Sequence, residues 1–143
     1  MSWDQYIINL MAEDSEGLKH AEEAAIVGHA TGAESVWASS PGLANITPAQ
    51  IKALAATNRS NFGTNGVMVG PYKCTLIRDQ LDNEPWTLDI KTKASEADSN
   101  AYSITVGKSL QTFVIVRGFK DTRGGPLNKK AFDMAQHLRK TSY

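Results

Sequence analysis

Short segments with an alternating apolar pattern follow one another between residues 67 and 116, and they constrain the fold more than any other feature of the sequence. A period of two is typical of strands that bury one face. The connecting segments GPY, DNEP and GKS are too short for the crossover that a parallel pair needs, so consecutive strands must pair antiparallel. The predicted strands are VMV (67–69), KCTLIR (73–78), WTLDIK (86–91), AYSITV (101–106) and QTFVIV (111–116).

Two apolar runs earlier in the chain extend the predicted sheet. AAIVGH (24–29) contains a β-branched pair, and SVWAS (35–39) places Trp37 in the middle of a strand. The polar stretch EDSEGLKHAEE (13–23) that precedes them is predicted to be a loop or weakly helical. With these two runs the sheet has about six or seven strands.

Helical periodicity at both ends of the chain brackets this sheet. Apolar residues recur at i, i+3 and i+4 over residues 3–11, and Ser2 with Gln5 matches a capping box. A last helix, with Asn128 as its expected cap, carries small and apolar residues on one face over 131–138. Because each helix is amphipathic, each must cover a sheet face or a neighbouring helix. Packing both helices on one face brings the two chain ends together.

A further helix begins after Thr47, which can cap it, has Pro48 at its first position and ends near Asn58. The predicted fold class is therefore α+β, an α/β sandwich. A central antiparallel sheet carries the terminal helices together on one face and further helix on the other. A length of 143 residues without a repeat or linker indicates a single domain over 1–143.

The sequence lacks the motifs of common enzymes. No GxSxG, Walker A, HExxH or CxxC pattern occurs. The single cysteine, Cys74, excludes a disulfide framework, is typical of a small core residue and has no companions that suggest a metal site. Acidic Asp4 stands where a signal peptide would carry a basic segment before a long apolar run. We therefore expect no catalytic residue, no cofactor, no metal and no membrane span.

Charge is unevenly distributed, although the net charge is zero. Residues 1–34 contain seven acidic residues and one lysine, whereas residues 108–143 contain eight basic and two acidic residues. The positive excess near the C-terminus favours an acidic partner or an anionic membrane surface. Alternatively, the two ends of the chain lie together and neutralise each other.

Aromatic residues give the most specific hint of a binding site. If the terminal helices lie together, they bring the rings of Trp3, Tyr6, His137 and Tyr143 to one neighbourhood, which Trp37 could join. Rings that carry N–H and O–H groups suit a polyproline II ligand, whose proline rings stack between them and whose carbonyls accept hydrogen bonds. The alternative is a small aromatic core that holds the two chain ends together.

Eight segments, in order and over essentially the whole chain, resemble the profilin family. The resemblance implies a cytoplasmic, cytoskeleton-associated monomer that is not an enzyme and binds no nucleic acid. It further implies binding to monomeric actin, regulation of its polymerisation, delivery of actin to proline-rich segments of nucleation and elongation factors, and binding to phosphoinositide lipids. The segments are MSWDQYIINLM, SVWAS, NITPAQ, NRSNF, KCTLIRD, DIKTK, RGGPLNKK and HLRKTSY.

The resemblance assigns three sets of residues by matching motif. The poly-proline surface comprises Trp3, Tyr6, Asn9, Trp37, His137, Leu138 and Tyr143. The actin surface comprises Phe62, Lys73, Thr75, Leu76, Arg78, Lys91, Lys93, Arg123, Gly125, Asn128, Lys129 and Phe132. Phosphoinositides are expected at Lys91, Lys93, Arg139 and Lys140.

Several positions depart from the family pattern. Gly63 and Thr64 stand where vertebrate members carry a larger aromatic and an aliphatic residue, Arg123 replaces a common His, and Pro126 replaces an aliphatic residue. The loop over 13–23 is longer than the vertebrate one. We expect the smaller side chains at Gly63 and Thr64 to weaken actin binding, with Arg123 offsetting part of the loss, and the family to be unchanged.

Two other functions remain open at this point. A small-ligand sensing domain of the PAS or GAF kind also combines an antiparallel sheet with helices, but it needs an interior cavity, and here Ile, Leu and Val occupy the strand positions. A peripheral protein that binds phosphoinositides without actin would use the same basic residues.

Overall fold

The computed structural model describes residues 2–143, which form one seven-stranded sheet with helices on both sides. The helices are α1 (Trp3–Met11), a 3-10 helix (Pro41–Leu43), α2 (Pro48–Ala55), α3 (Phe62–Asn65) and α4 (Gly124–Lys140). The strands are β1 (Ala21–Gly28), β2 (Ser35–Ser39), β3 (Val67–Val69), β4 (Tyr72–Gln80), β5 (Thr87–Thr92), β6 (Ser103–Lys108) and β7 (Thr112–Gly118).

All neighbouring strands of the sheet pair antiparallel, in the order β2-β1-β7-β6-β5-β4-β3. Strands β3 to β7 form a meander, as the short connections predict. The hairpin of β1 and β2 joins this meander through β7, with Ala24 opposite Val116 and Val27 opposite Phe113. The N-terminal hairpin therefore adds to the last strand, which brings both ends of the chain to the same region of the sheet.

The helices cover both faces of the sheet, which confirms the predicted fold class. On one face α1 and α4 bury Ile7, Leu10 and Leu138 against β1 and β7. On the other face α2, α3 and the 3-10 helix enclose a larger core that includes Leu54 and Phe113. Because helices lie on both sides, every residue of β7 is buried. This explains why the residues from Phe113 to Val116 are all apolar and do not alternate with polar ones.

The structure extends β1 further towards the N-terminus than the sequence predicts. Glu22 and Glu23 belong to this strand because both carboxylates have partners there. Glu22 Oε1 accepts a hydrogen bond from Arg117 at 2.7 Å, and Glu23 Oε2 accepts one from the Gly42 N–H at 3.0 Å. The prediction of a loop through residue 23 was therefore wrong over its last three residues, because charge alone does not exclude a paired strand position.

Other boundaries also differ from the predictions. Helix α4 begins at Gly124, with Arg123 as its N-cap, rather than near Asn128. Trp86 lies outside β5, with a φ of 54° that a strand residue does not adopt. Helix α2 ends at Ala55, and its predicted capping box is present.

Candidate functional site

Five aromatic side chains from both ends of the chain and from β2 form one cluster, which we call the aromatic cluster: Trp3, Tyr6, Trp37, His137 and Tyr143. Trp3 lies at its centre, with ring centroids 4.8 Å from Trp37, 5.0 Å from Tyr143 and 5.3 Å from Tyr6. The Tyr6 ring lies 5.8 Å from His137. The structure therefore brings together all the rings that the sequence analysis singled out.

The orientation of Trp37 depends on a glycine in the neighbouring strand. Gly28 lies at the end of β1, and a Cβ atom there would lie 2.7 Å from Trp37 Cε2 and 2.8 Å from its Cζ2. Real Cβ atoms do not approach other atoms so closely. Only glycine at this position allows the indole to pack against the strand backbone.

The β6–β7 hairpin holds the C-terminal part of the cluster in place. Ser109 Oγ donates a hydrogen bond to the backbone oxygen of Tyr143 at 2.9 Å, and the Gln111 N–H donates to the same oxygen. Gln111 Nε2 donates to the Ser142 carbonyl at 3.0 Å. These bonds, together with the ring contact to Trp3, position a residue that would otherwise be free to fray.

The cluster is both packed and accessible. Trp3, Tyr6 and Trp37 are half-buried and pack against the α1–α4 core, whereas His137 is exposed and Tyr143 is 42% exposed. Within residues 2–143 neither indole N–H donates a hydrogen bond, and Tyr6 Oη lies 3.5 Å from His137 Nε2. The two alternatives of the sequence analysis thus coincide, because rings that brace the chain ends remain partly exposed to solvent.

A groove between α1 and α4 continues the aromatic cluster. It has a volume of about 330 Å³ and is lined by Tyr6, Asn9, Lys130, Asp133, Met134 and His137. Asn9 is exposed there, as its assignment to the poly-proline surface requires. Leu138 is different, because it is fully buried in the core beneath α4. It can only support the cluster from below, so its assignment as a contact residue does not hold in this structure.

The residues assigned to actin lie mostly on a second surface, which we call the β4–β5 surface. Thr75 pairs with Lys91 across β4 and β5, and Asn128 Nδ2 bonds the Asp89 carboxylate at 3.1 Å, which ties the start of α4 to β5. The exposed members are Lys73, Thr75, Arg78, Lys91, Lys93, Arg123, Gly125 and Lys129, and the half-buried ones are Leu76, Asn128 and Phe132.

Phe62 differs from the rest of this set. It is only 6% exposed and belongs to the core that α2 and α3 enclose, so it packs the protein interior and offers little area to a partner. Its neighbour Gly63 is exposed, and nothing lies within 4 Å of a Cβ atom built there. A larger side chain at Gly63 would therefore project into solvent.

The four residues assigned to phosphoinositides lie at two separate places. Lys91 and Lys93 are exposed at the far end of β5. Arg139 stacks 3.9 Å over the ring of Trp86, which precedes the other end of β5, and donates to the Lys108 carbonyl. At about 3.3 Å per residue, Trp86 and Lys91 are separated by roughly 16 Å. Desolvation lowers the pKa of Arg139, in keeping with its partial burial.

Some functionally relevant residues were missed by the sequence analysis. Lys130 and Asp133 line the groove, and they lie two helical turns and one helical turn, respectively, before His137 on the same side of α4, a spacing that could have identified them. The stacking of Arg139 on Trp86 had no sequence signal, because it joins residues more than fifty positions apart.

Cys74 is buried, and desolvation raises the pKa of its thiol to about 12, as expected for a core thiol.

Among residues 2–143 there is no group of three or more His, Cys, Asp or Glu side chains that could hold a metal ion. In the same part of the chain, no helix combines the length and apolar character needed to cross a membrane.

Comparison with known proteins gives a consistent result. The family model described as Profilin matches residues 1–143. Profilin-1 of Bos taurus is 41% identical, over 99% of this chain and 98% of its own length. Mouse profilin IIa in complex with a double repeat from the FH1 domain of mDia1 has a similar structure, with a TM-score of 0.88, 38% identity and full coverage of both chains. Rat profilin 2a has a TM-score of 0.87 at 40% identity, covering 99% of this chain and 96% of its own.

Proposed function

The chain belongs to the profilin family, and from this premise we propose that it binds monomeric actin on the β4–β5 surface and proline-rich segments on the aromatic cluster. Profilins are not enzymes, and the chain is not one either. The observation that carries the proposal is the aromatic cluster, where Trp3 and Trp37 present unbonded N–H groups beside Tyr6 and His137. The mouse relative that was solved in complex with an FH1 repeat supports the binding of proline-rich segments by this chain.

The chemistry of the aromatic cluster suits a proline-rich ligand. A polyproline II helix has no internal hydrogen bonds, so its carbonyls are free to accept from the indoles of Trp3 and Trp37. Its rings stack against the tilted faces of the cluster, and since the ligand is already extended it loses little conformational entropy on binding. Because the rings are braced against one another, the protein also reorganises little.

The separation of the two surfaces favours a delivery function. Gly125 lies near one end of α4 and His137 near the other, about 18 Å apart along the helix axis. Both surfaces can therefore be occupied at once. A partner that holds the aromatic cluster then raises the local concentration of bound actin at the site of polymerisation. This function belongs in the cytoplasm, where actin monomers are found.

Phosphoinositide binding forms a weaker part of the proposal. Lys91 and Lys93 with neighbouring Lys73 give an exposed basic edge that can attract anionic headgroups, with an affinity that falls at high salt. Because this edge belongs to the β4–β5 surface, lipid and actin would compete for it.

The alternative of a small-ligand sensing domain receives no support, since Phe113, Ile104 and Leu88 fill the protein interior beside the sheet.

The test of the proposed function is a pair of binding assays on one variant. Trp3→Ala should lose retention on a polyproline resin because it removes the centre of the aromatic cluster, and its titration with actin monomers should match the wild type. Ile8→Ala is the matched control, because Ile8 is 59% exposed on the same helix and lies outside the cluster. A thermal melt checks that each variant is folded.

Several outcomes would contradict the proposal. Full retention of folded Trp3→Ala on the resin would show that the ligand binds elsewhere. Wild-type protein that fails to bind actin monomers but binds phosphoinositide vesicles would favour the peripheral lipid-binding alternative.

A further inference from the structure

The groove beside the aromatic cluster does not end at the middle of α4. A second cleft of about 570 Å³ lies between the loop over residues 14–20 and the first turns of α4, and it is lined by Glu16, Leu18 and Pro126 among others. Lys130 and Asp133 line both the first groove and this cleft. The two cavities therefore adjoin each other along α4, from His137 towards its N-terminal end, and we call the pair the channel.

The loop that closes the far end of this channel is held by the Asp14 carboxylate together with two backbone hydrogen bonds, Asp14 N–H to the Leu18 carbonyl at 2.9 Å and Gly17 N–H to the Asp14 carbonyl at 3.0 Å. Asp14 Oδ1 accepts hydrogen bonds from the N–H groups of Glu16 at 2.8 Å and Leu18 at 3.0 Å. Asp14 Oδ2 lies 2.8 Å from His20 Nε2. These bonds give the backbone a defined course while the Leu18 side chain stays 52% exposed. The loop therefore presents the apolar side chain of Leu18 to solvent at the channel mouth.

Both lysines that line the channel already have partners within the protein, whereas a carboxylate at its mouth has no cationic partner among residues 2–143. Lys129 Nζ pairs with Asp133 at 2.7 Å, and Lys130 Nζ donates to the Ala12 carbonyl at 3.3 Å. The Glu16 carboxylate makes no ion pair within the part of the chain that the structure describes. A ligand side chain that reaches the mouth therefore meets an apolar surface and an unpaired negative charge. Arginine and lysine have the matching form, an apolar stem with a cationic end.

We propose that the channel binds a basic residue that flanks the proline-rich segment of a ligand on the aromatic cluster. This inference rests on the proposed function. Lys129 lies eight residues before His137, which corresponds to about 12 Å along α4. An extended ligand advances about 3.1 Å per residue, so the basic residue follows or precedes the last stacked proline by roughly four positions. The residues that select it are Glu16 and Leu18.

The test compares peptides by the change in intrinsic tryptophan fluorescence on titration. The probes are decaproline alone and decaproline with a Gly-Ser-Gly spacer and a terminal arginine or a terminal glutamate, each made with the flank at either end. We expect an arginine peptide of one polarity to bind about twofold to fivefold more tightly than its glutamate counterpart, as for an exposed ion pair. The preference should disappear at about 0.5 M salt.

Two charge-reversal variants assign the effect to the channel mouth. Glu16→Lys should abolish the preference for arginine while its affinity for plain decaproline stays that of the wild type. Glu96→Lys, a matched change at an exposed loop glutamate outside the channel, should keep the preference. Equal binding of arginine and glutamate peptides in both polarities, or a preference that survives in Glu16→Lys, overturns the inference. Failure of plain decaproline to bind instead overturns the proposed function itself.

Discussion

Trp37 and Gly28 show how a residue without a side chain can shape a binding surface. The indole packs where a Cβ atom on Gly28 would lie, so the ring orientation depends on the missing side chain in the neighbouring strand.

Arg59 shows the opposite case, a charged side chain in the interior. It is almost fully buried, and its guanidinium bonds Asp79 at 2.8 and 3.0 Å, Asp82 at 3.0 Å and the Ala56 carbonyl at 2.6 Å.

The change Gly28→Ala should weaken poly-proline binding about fivefold, because the added methyl group pushes the Trp37 ring away from its stacking position and loses roughly 1 kcal/mol of aromatic contact. The measurement is a fluorescence titration with decaproline. Gly63→Ala is the control, since a Cβ atom there meets nothing within 4 Å. If Gly28→Ala binds decaproline as tightly as the wild type, the position of Trp37 does not limit affinity.

The change Arg59→Leu should lower the free energy of unfolding by about 3–5 kcal/mol, because it leaves Asp79 charged and without its partner in a half-buried position. Urea denaturation measures this loss. Arg78→Leu removes an exposed guanidinium from Asp89, which keeps hydrogen bonds from Thr105 and Asn128, and should cost less than about 1 kcal/mol. Similar losses in both variants would mean that the Arg59 network contributes no more than a surface ion pair.

The same network makes stability depend on pH. Burial raises the pKa of Asp79, but hydrogen bonds from Arg59 and the Leu81 N–H, with the Arg59 charge, outweigh burial and lower it below its ordinary 3.8. Since the folded pKa is the lower one, this contribution is complete above about pH 4 and is lost as the pH falls through the folded value. Arg59→Leu should lose less stability than the wild type over that acidic range.

At the scale of secondary-structure elements, the sheet and the terminal helices could be predicted because each follows from local periodicity. Their boundaries could not, because the start of α4 at Gly124 reads as a turn in Gly-Gly-Pro, and β1 begins with glutamates whose partners are distant in sequence. The candidate site divides in the same way. The aromatic cluster was predictable because its rings occupy the chain ends and one strand, whereas the burial of Phe62 and the stacking of Arg139 depend on tertiary contacts.

The 14–20 loop is an element whose order should depend in part on the Asp14 carboxylate, which adds to two backbone hydrogen bonds within the loop. The pKa of Asp14 is lowered to about 2, chiefly by the hydrogen bond from the Leu18 N–H and then by His20. Because the folded pKa is depressed, the ordered loop is fully stabilised above about pH 4 and loses this stabilisation as the pH falls towards 2. Hydrogen exchange of the Glu16 and Leu18 amides, corrected for the intrinsic pH dependence, should therefore lose protection over this range.

Asp14→Asn provides the matched variant for this measurement. The amide side chain can still accept the two backbone hydrogen bonds but does not titrate, so its protection should be weaker at neutral pH and flat in acid. Identical acid profiles for the wild type and Asp14→Asn would assign the loop's order to another group.

At the scale of the whole molecule, the two proposed surfaces lie on one rigid framework. The aromatic cluster is carried by α1, β2 and the last turns of α4, and the β4–β5 surface includes the first turns of the same helix. Helix α4 packs on the central strands through Leu127, Ala131 and Leu138. Because both surfaces are held by the same packed helix and sheet, we expect little coupling between them.

Saturation with decaproline should therefore change the affinity for actin monomers less than twofold, because the coupling free energy between the surfaces is close to zero. An actin titration with and without the peptide measures this. The peptide should still raise the melting temperature by mass action, and Trp3→Ala should lose that rise. A large change in actin affinity on adding decaproline would contradict independent surfaces.

Helix α4 runs without interruption from Gly124 to Lys140, and so it acts as a ruler between two docking points. The distance and relative orientation of these two points can change only in coarse steps, because adding one residue would advance one end by about 1.5 Å and turn it by about 100° around the axis. Intermediate spacings do not exist. A partner that engages both ends must therefore take up any mismatch in its own linker, and lengthening or shortening that linker is the available way to tune the geometry of the assembly.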